Sequence, residues 1–499
     1  MIVQDSNFSP QQDPIDPIQG NYDFNFSLNL LHLQDDEGVE NQMIADHYGP
    51  HNNNIVVDPL YQDNFLYNGD ISHFEGMQQL SPLQYFRLPH LIIGVDTLLQ
   101  KQLFDQYRFS TSTFLTTSST PENLFNSIVL PLAVQDKTLM RLLLSLAGSQ
   151  SLKRVPPGSN PELQRETVRL HQEAQQEQYR RVQIMKAHLL DYPSDSNHDG
   201  ASILAQIPRY TDRYLEIIFA TYLTLCLYEV FEGTGDGAGS AHLASAGYMI
   251  DLASKLPQDS ERSLSLFGGQ RTKIHPCLLD FYNYHGSLAG VTSPSISIIQ
   301  LEYDEAPDTF GHDPPLVGVQ DGLIKFIPRI SALRNDADKI HGEFDYSTIN
   351  TGLEIFADLD AWRPQPTSTP TETLAAGFYQ KALFIWLFSI IYPKQSGHER
   401  VQDNVKCILK GMCEIQPGDG VMACMLFPLF VAGSAALEKE DRKQVIEHFA
   451  ALKLWSAFGN IDSTCNTVKE MWKLRDAGDE NSWDWVRLLR STQMSILVT

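Results

Sequence analysis

Residues 211 to 231, TDRYLEIIFATYLTLCLYEVF, are apolar on nearly every side of the helix they would form. A helix with one polar face can lie on a protein surface, whereas one apolar all round has to be surrounded by other elements. The apolar stretch proper, Leu215 to Phe231, also carries Glu216 and Glu229. It is shorter than the roughly 20 residues that a bilayer-spanning helix needs. It therefore reads as the central helix of a large bundle. A second run, Val421 to Leu437, contains Pro428 and reads as another core helix. The N-terminus, MIVQDSNFSP, has neither the basic nor the apolar region of a secretory signal. No membrane association is expected.

Helical patterning starts near Tyr85. Asp136 is placed to cap a helix in which Leu139, Leu142, Leu143 and Leu146 recur at three- and four-residue steps. Residues 163 to 190 read as a long amphipathic helix with Val168, His171, Ala174 and Tyr179 on one side. Further helices are expected at His242 to Ala253, Cys277 to Leu288, Gly322 to Leu333, Tyr379 to Tyr392, Val421 to Leu437 and Asp441 to Phe449, followed by a Trp-rich tail. The best strand candidate, SISIIQLEY at 295 to 303, reads equally well as a loop. Linkers are expected near 192–208, 255–275, 293–320 and 363–373, the last as an exposed Pro- and Thr-rich loop. The fold class is all-α: one large multi-helix domain over residues 85–499, preceded by residues 1–84.

Those first 84 residues have a different character. They are rich in Asp, Asn, Gln and Pro, show no sustained period, and read as a disordered arm. Residues 1 to 86 hold thirteen Asp plus Glu and no Lys or Arg, the first cation being Arg87. The remainder holds 48 acidic against 37 basic residues, giving −24 for the whole chain of 499. An arm without a cation cannot displace counterions from DNA. It does hold Phe24, Phe26, Leu28, Leu30, Leu31 and Leu33 interspersed with Asp23 and followed by Asp35, Asp36 and Glu37. Carboxylates keep such a segment solvated while its apolar side chains stay available to partner grooves. It is an expected activation segment, and a featureless arm is the alternative.

No constellation points to catalysis. GTGDGAGSA at 233 to 241 spaces its glycines as G-x-G-x-G-x-G rather than as a dinucleotide fingerprint. It follows a run too long and evenly apolar for a strand, so it reads as a loop between two helices. Nucleophile-elbow, zinc-protease, P-loop and CxxC spacings are all missing. His242, His275 and His285 share one stretch without a metal-ligand spacing, and His285 among Phe281, Tyr282 and Tyr284 reads as a satisfied packing residue. Asp35/Asp36 and Glu438/Glu440 read as solvated surface. DLDAW at 358 to 362 lacks the D-D-x-x-D/E pattern of an all-helical, terpene-cyclase-like enzyme. The basic residues Arg165, Arg169, Arg180, Arg181 and Lys186 alternate with Glu162, Glu166, Glu173 and Glu177, which favours intrahelical ion pairs over a DNA-reading surface. The cysteines 226, 277, 407, 413, 424 and 465 are scattered and read as reduced and mostly buried.

Several segments, taken in order, resemble the fungal-specific transcription factor domain, the regulatory domain of fungal zinc-cluster transcription factors. They are NLFNSIVLPLAVQDKTLMRLLLSLAGSQ, RLHQEAQQEQYRR, LTLCLYEVFEG with HLASAGYMI, CLLDFYNYHGSLAGVT, DPPLVGVQDGLIKFIPRISALR, and the C-terminal MLFPLFVAGSAALEKEDRKQVIEHF, GNIDSTCNTVKEMWKLRD and WDWVRLLR. The resemblance implies an all-helical domain, nuclear location and control of RNA polymerase II transcription. It also implies an upstream DNA-binding cluster of six cysteines holding zinc. No cysteine precedes Cys226, so no cofactor is expected in this chain, and promoter DNA would be reached through a missing module or a partner. Either an upstream segment is missing or the chain is a regulator without a cluster. Coactivators or other transcription factors are the expected partners, with a small-molecule effector as a further one at an unlocated site. Phe281, Tyr282, Tyr284, Trp386 and Trp472 could line that site, although core packing is the plainer reading. A helical scaffold without transcriptional output is the alternative function.

Overall fold

The computed structural model describes residues 92–117, 123–190, 212–254, 264–265, 271–272, 274–293, 316–318, 321–339, 346–364 and 369–499. All of them belong to the unit Phe86–Thr499. The acidic arm with its segment Phe24 to Leu33, the strand candidate at 295–303 and most of the expected linkers lie outside the described residues. The described residues are all-α, with fifteen α-helices and one antiparallel pair of two-residue strands, Leu264–Ser265 with Arg271–Thr272.

The first helices wrap the apolar run. They are α1 (Leu98–Phe109), α2 (Leu130–Ala133), α3 (Lys137–Lys153), α4 (Pro161–Leu190), α5 (Asp212–Glu232) and α6 (Ala238–Ser254). As the run requires, α5 is enclosed, touching α3, α4, α6 and, from the C-terminal part, α14 (Gly459–Asp476). Its buried polar side chains Glu216, Thr221 and Thr224 have hydrogen-bond partners. Thr221 and Thr224 hydroxyls donate to the Ile217 and Ala220 carbonyls at 2.6 and 2.7 Å. Glu216 accepts from the His275 backbone N–H at 3.0 Å and from Arg213 at 2.9 Å. At the start of α3, Asp136 caps as expected, accepting from the Thr138 and Leu139 N–H groups at 3.0 and 2.9 Å. All four leucines of the pattern are fully buried. Ahead of α2, residues Phe125–Val129 form a π-turn. Pro131, which has no N–H to give the preceding turn, follows directly.

The buried seam of α4 differs from the expectation. It consists of Leu163, Thr167, Leu170, Ala174, Gln178, Val182 and Met185, while Val168 and Tyr179 are exposed and His171 is half-buried. Two seam residues are polar, so apolar periodicity alone misplaces the face. Both find partners: Thr167 donates to the Leu163 carbonyl at 2.8 Å and Gln178 to the Ile218 carbonyl at 3.1 Å.

The remaining helices are α7 (Pro276–Thr292), α8 (Phe326–Lys339), α9 (Tyr346–Ala361), α10 (Pro370–Ile391), α11 (Glu399–Met412), α12 (Leu426–Ala435), α13 (Lys439–Ser456), α14 and α15 (Trp485–Thr492). The run Val421 to Leu437 is not one helix. It divides into a 3-10 turn, Gly420–Cys424, and α12. Pro428 dictates the break, since proline is tolerated only in a first turn. The expected loop 363–373 is likewise corrected: Thr369 and Glu372 form a capping box and Pro370 opens α10. The α10–α12 core holds Trp386, Phe427 and Phe430, with Trp386 and Phe430 against Trp485 of α15 at 6.0 and 5.1 Å.

Candidate functional site

The glycine-rich loop lies where four chain segments meet. It joins α5 to α6, two helices, as the spacing of its glycines suggested. Gly233, Gly235 and Gly237 all have positive φ, which glycine adopts without strain. The C-terminal residues run alongside: the Ser495 N–H donates to the Gly235 carbonyl at 2.9 Å. From α14, Ser463 donates to the Gly233 carbonyl at 3.0 Å, and Asn460 donates to the Leu497 and Thr499 carbonyls, both at 2.9 Å. From α7, Thr292 donates to the Ile496 carbonyl at 2.6 Å. A water-sized cleft remains, lined among others by Glu229, Gly233, Asp236, Ser463 and Ile496.

The carboxylates around this cleft disfavour an anion such as phosphate. Asp236 caps α6, accepting from the Ala238 N–H at 2.9 Å, and Glu229 and Glu232 stand close by. Burial pushes the Glu229 carboxyl up to about 7, the Thr234 hydroxyl bond opposes the rise, and the charges of Asp236 and Glu232 reinforce it. Its folded pKa therefore exceeds the ordinary carboxylate value, so the unfolded chain releases this proton first. The stability tied to this proton is present below the ordinary value and is lost as pH rises toward 7. Glu229→Gln, which keeps an acceptor for Thr234, is expected to leave stability unchanged near pH 4. At pH 8 it should add on the order of 1–2 kcal/mol after solvent screening. Urea midpoints at the two pH values check this, and equal gains at both would refute it.

The other sequence candidates have structural places. His275 caps α7, its Nδ1 accepting from the Cys277 N–H at 3.3 Å. His285 is 5% exposed and packs on Phe281 and Tyr284 at 4.1 and 5.2 Å. The expectation of a satisfied side chain needs correcting, because its Nδ1 is buried with no partner among the described residues. The Nε2 atoms of His171 and His242 are in the same position. His171 stacks on Tyr228 at 3.7 Å, and His242 lies 6.3 Å from Tyr222. Glu438 and Glu440 are exposed, as is Asp358, which pairs with Arg329 at 2.7 Å.

Phe281, Tyr282, Tyr284, Trp386 and Trp472 are all buried in the one hydrophobic core. The polar atoms of Trp472 and Tyr284 have structural partners. The Trp472 Nε1–H donates to the Gly433 carbonyl at 2.8 Å. The Tyr284 and Tyr379 hydroxyls are 2.8 Å apart, and Tyr379 donates onward to the Cys424 carbonyl at 2.8 Å. Periodicity gave no signal for this network, because it joins α7, α10 and the 3-10 turn across the core.

The cysteines split into two groups. Cys226, Cys277, Cys424 and Cys465 are buried, and burial pushes their thiols up. Cys407 and Cys413, on and just after α11, are exposed, while the other four are buried as the mostly buried reading expects. Among the described residues no three His, Cys, Asp or Glu side chains gather as a metal site would require. On α4, Arg169 pairs with Glu166 and Glu173 at 2.7 and 2.5 Å, and Arg180 with Glu177 at 2.6 Å. Arg181 pairs with Asp136 at 2.9 Å and Glu177 at 3.2 Å. These cations are neutralised within the fold.

Among known families, the model of the fungal specific transcription factor domain matches residues 102–499. No curated protein and no solved structure matches the chain.

Proposed function

Because the chain belongs to the fungal specific transcription factor domain family, we propose that it is a nuclear regulator of RNA polymerase II genes whose helical domain is regulatory and whose N-terminal segment activates. The family is one of transcription regulators, and the match over 102–499 carries the reading. The ion pairing of Arg169, Arg180 and Arg181 on α4 argues against that helix as a DNA-reading surface. With those cations occupied, promoter DNA is reached through a partner or through a zinc-cluster module. Residues Phe24, Phe26, Leu28, Leu30, Leu31 and Leu33 would engage coactivators by their apolar side chains. No effector site is assigned.

The full chain tethered to a heterologous DNA-binding domain tests this. It is expected to raise reporter output, and replacing Phe24, Phe26, Leu30 and Leu31 by Ala is expected to remove most of the signal. A silent tethered chain, together with exclusion of the untethered protein from the nucleus, would favour a helical scaffold instead.

A further inference from the structure

Helix α10 is buried less completely than its composition demands. The apolar windows of α5 and α10 have similar mean hydropathy, 1.4 and 1.5, yet the first is 89% buried and the second 56%. The uncovered share lies on one face. Phe384, Phe388 and Tyr392 follow one another at four-residue steps, the two phenylalanines half-buried and Tyr392 exposed. Their rings are in sequence contact, with centroids 5.8 and 4.8 Å apart.

Helix α9 runs antiparallel beside this face. Phe356 meets Phe384 edge-on at 5.7 Å, while Gly352 lies against Ile391, so close that an added Cβ would come within 2.7 Å of its Cδ1. Along α9, Tyr346, Ile349, Leu353 and Phe356 fall at i, i+3, i+7 and i+10. Tyr346 is 87% exposed and Leu353 54%. The exposed Tyr346 and Leu353 of α9 and the half-buried Phe356, Phe384 and Phe388 thus make an apolar strip along the two helices, the kind of surface that marks an interaction site.

Size and charge indicate what fits it. Ten residues of helix span about 15 Å, and two neighbouring helices are about 10 Å apart. A domain-sized interface needs about 800 Å² per partner, far more than this strip offers. A single amphipathic helix of about three turns matches it. At the Phe356 end, the Arg400 guanidinium stands over the Phe356 and Phe384 rings at 5.2 and 5.1 Å, with no carboxylate at ion-pair distance among the described residues. His398 lies against Phe388 at 5.0 Å. Glu354, beside Leu353, is exposed toward the other end and would repel an acidic side chain there. We propose that the α9–α10 strip is a docking groove for a short amphipathic helix of a partner protein, bearing apolar anchors and a carboxylate at the end that meets Arg400.

The test uses the full chain and a labelled helical peptide of about 14 residues, with Leu and Phe anchors at i, i+3 and i+7 and two Asp at one end. A control peptide carries Lys in place of Asp. Fluorescence anisotropy is expected to give a Kd on the order of 10 μM for the acidic peptide and weaker binding for the control. Leu353→Asp should weaken binding at least about tenfold, and Arg400→Glu should reverse the preference between the peptides. Tyr346→Ser, at a side chain almost fully in solvent, is a second variant that leaves folding intact, and it should also weaken binding. The proposal fails if neither peptide binds, or if binding is the same in all variants. It fails equally if sedimentation shows a dimer that Leu353→Asp dissociates, because a second copy would then occupy the strip.

Discussion

Gly459→Val is expected to prevent the chain from accumulating in folded form, and Gly459→Ala to cost about 3 kcal/mol or more. Gly459 opens α14 where that helix meets the end of α5. A Cβ there would lie 2.3 Å from the Glu232 carbonyl oxygen and 2.5 Å from its carbon. The arrangement is reciprocal, since a Cβ on Gly233 would lie 2.3 Å from the Gly459 carbonyl carbon. Backbone meets backbone on both sides, so no side chain can swing away to make room. The helices would have to separate, opening the Phe231–Phe458 stack, whose centroids are 4.2 Å apart, and the bond from Ser463 to Gly233. Two other glycines calibrate the result. Gly377, inside α10, has nothing within 4 Å of an added Cβ. Gly377→Ala should therefore be neutral or stabilising by up to about 1 kcal/mol. Gly158 also has open space but φ +77, so Gly158→Ala should cost about 1 kcal/mol through backbone strain alone. Urea midpoints of the three Ala variants check the series. A Gly459→Ala midpoint equal to wild type would show that the junction yields.

The contrast between Gly377 and Gly459 also shows how far the sequence could be read. Helices whose face is written in leucine, such as α3, were legible down to the Asp136 cap. The enclosed position of α5 was legible too, because an apolar surface on every side leaves no other place for a helix. Helix α11 also carries a readable signal: its buried apolar side chains Val401, Val405, Ile408, Leu409 and Met412 are linked by helical steps of three or four. What lay beyond reach was contact between distant segments. Gly233 and Gly459 are separated by more than two hundred residues, and nothing in either neighbourhood announces the other. The same holds for the cleft, since Glu229, Asn460 and Ser495 come together only when the bundle is assembled. The apolar strip on α9 and α10 was hidden for another reason: composition says that a helix is apolar but not which share of it the fold leaves uncovered.

Acid is expected to destabilise the folded chain steeply between pH 6.5 and 4, against the gain from Glu229. Burial pulls His171 and His242 down to about 4 and His285 to about 3. Neighbouring charges modify this slightly. Glu232 opposes the shift at His171, and at His242 the effect of His171 adds to it while Asp236 opposes it. All three imidazoles are neutral in the fold and take up protons near the ordinary value of 6.5 once unfolded. The unfolded chain binds more protons below that value, so stability is full above it and is lost as pH falls. At pH 5 each histidine costs up to about 2 kcal/mol, less for the half-buried His171 and His242. Glu229 returns about 1–2 kcal/mol over the same interval, leaving a net loss of about 3–4 kcal/mol. That is a large part of the roughly 5–15 kcal/mol that holds a typical domain folded. His285→Phe isolates the most buried of the three. Its neighbours Phe281 and Tyr284 can receive a phenyl ring, and Nδ1 has no partner to lose. The variant should match wild type at pH 8 and exceed it by about 2 kcal/mol at pH 5. If its urea midpoint falls between pH 8 and pH 5 as far as that of wild type, the buried imidazole is not the source of the acid sensitivity.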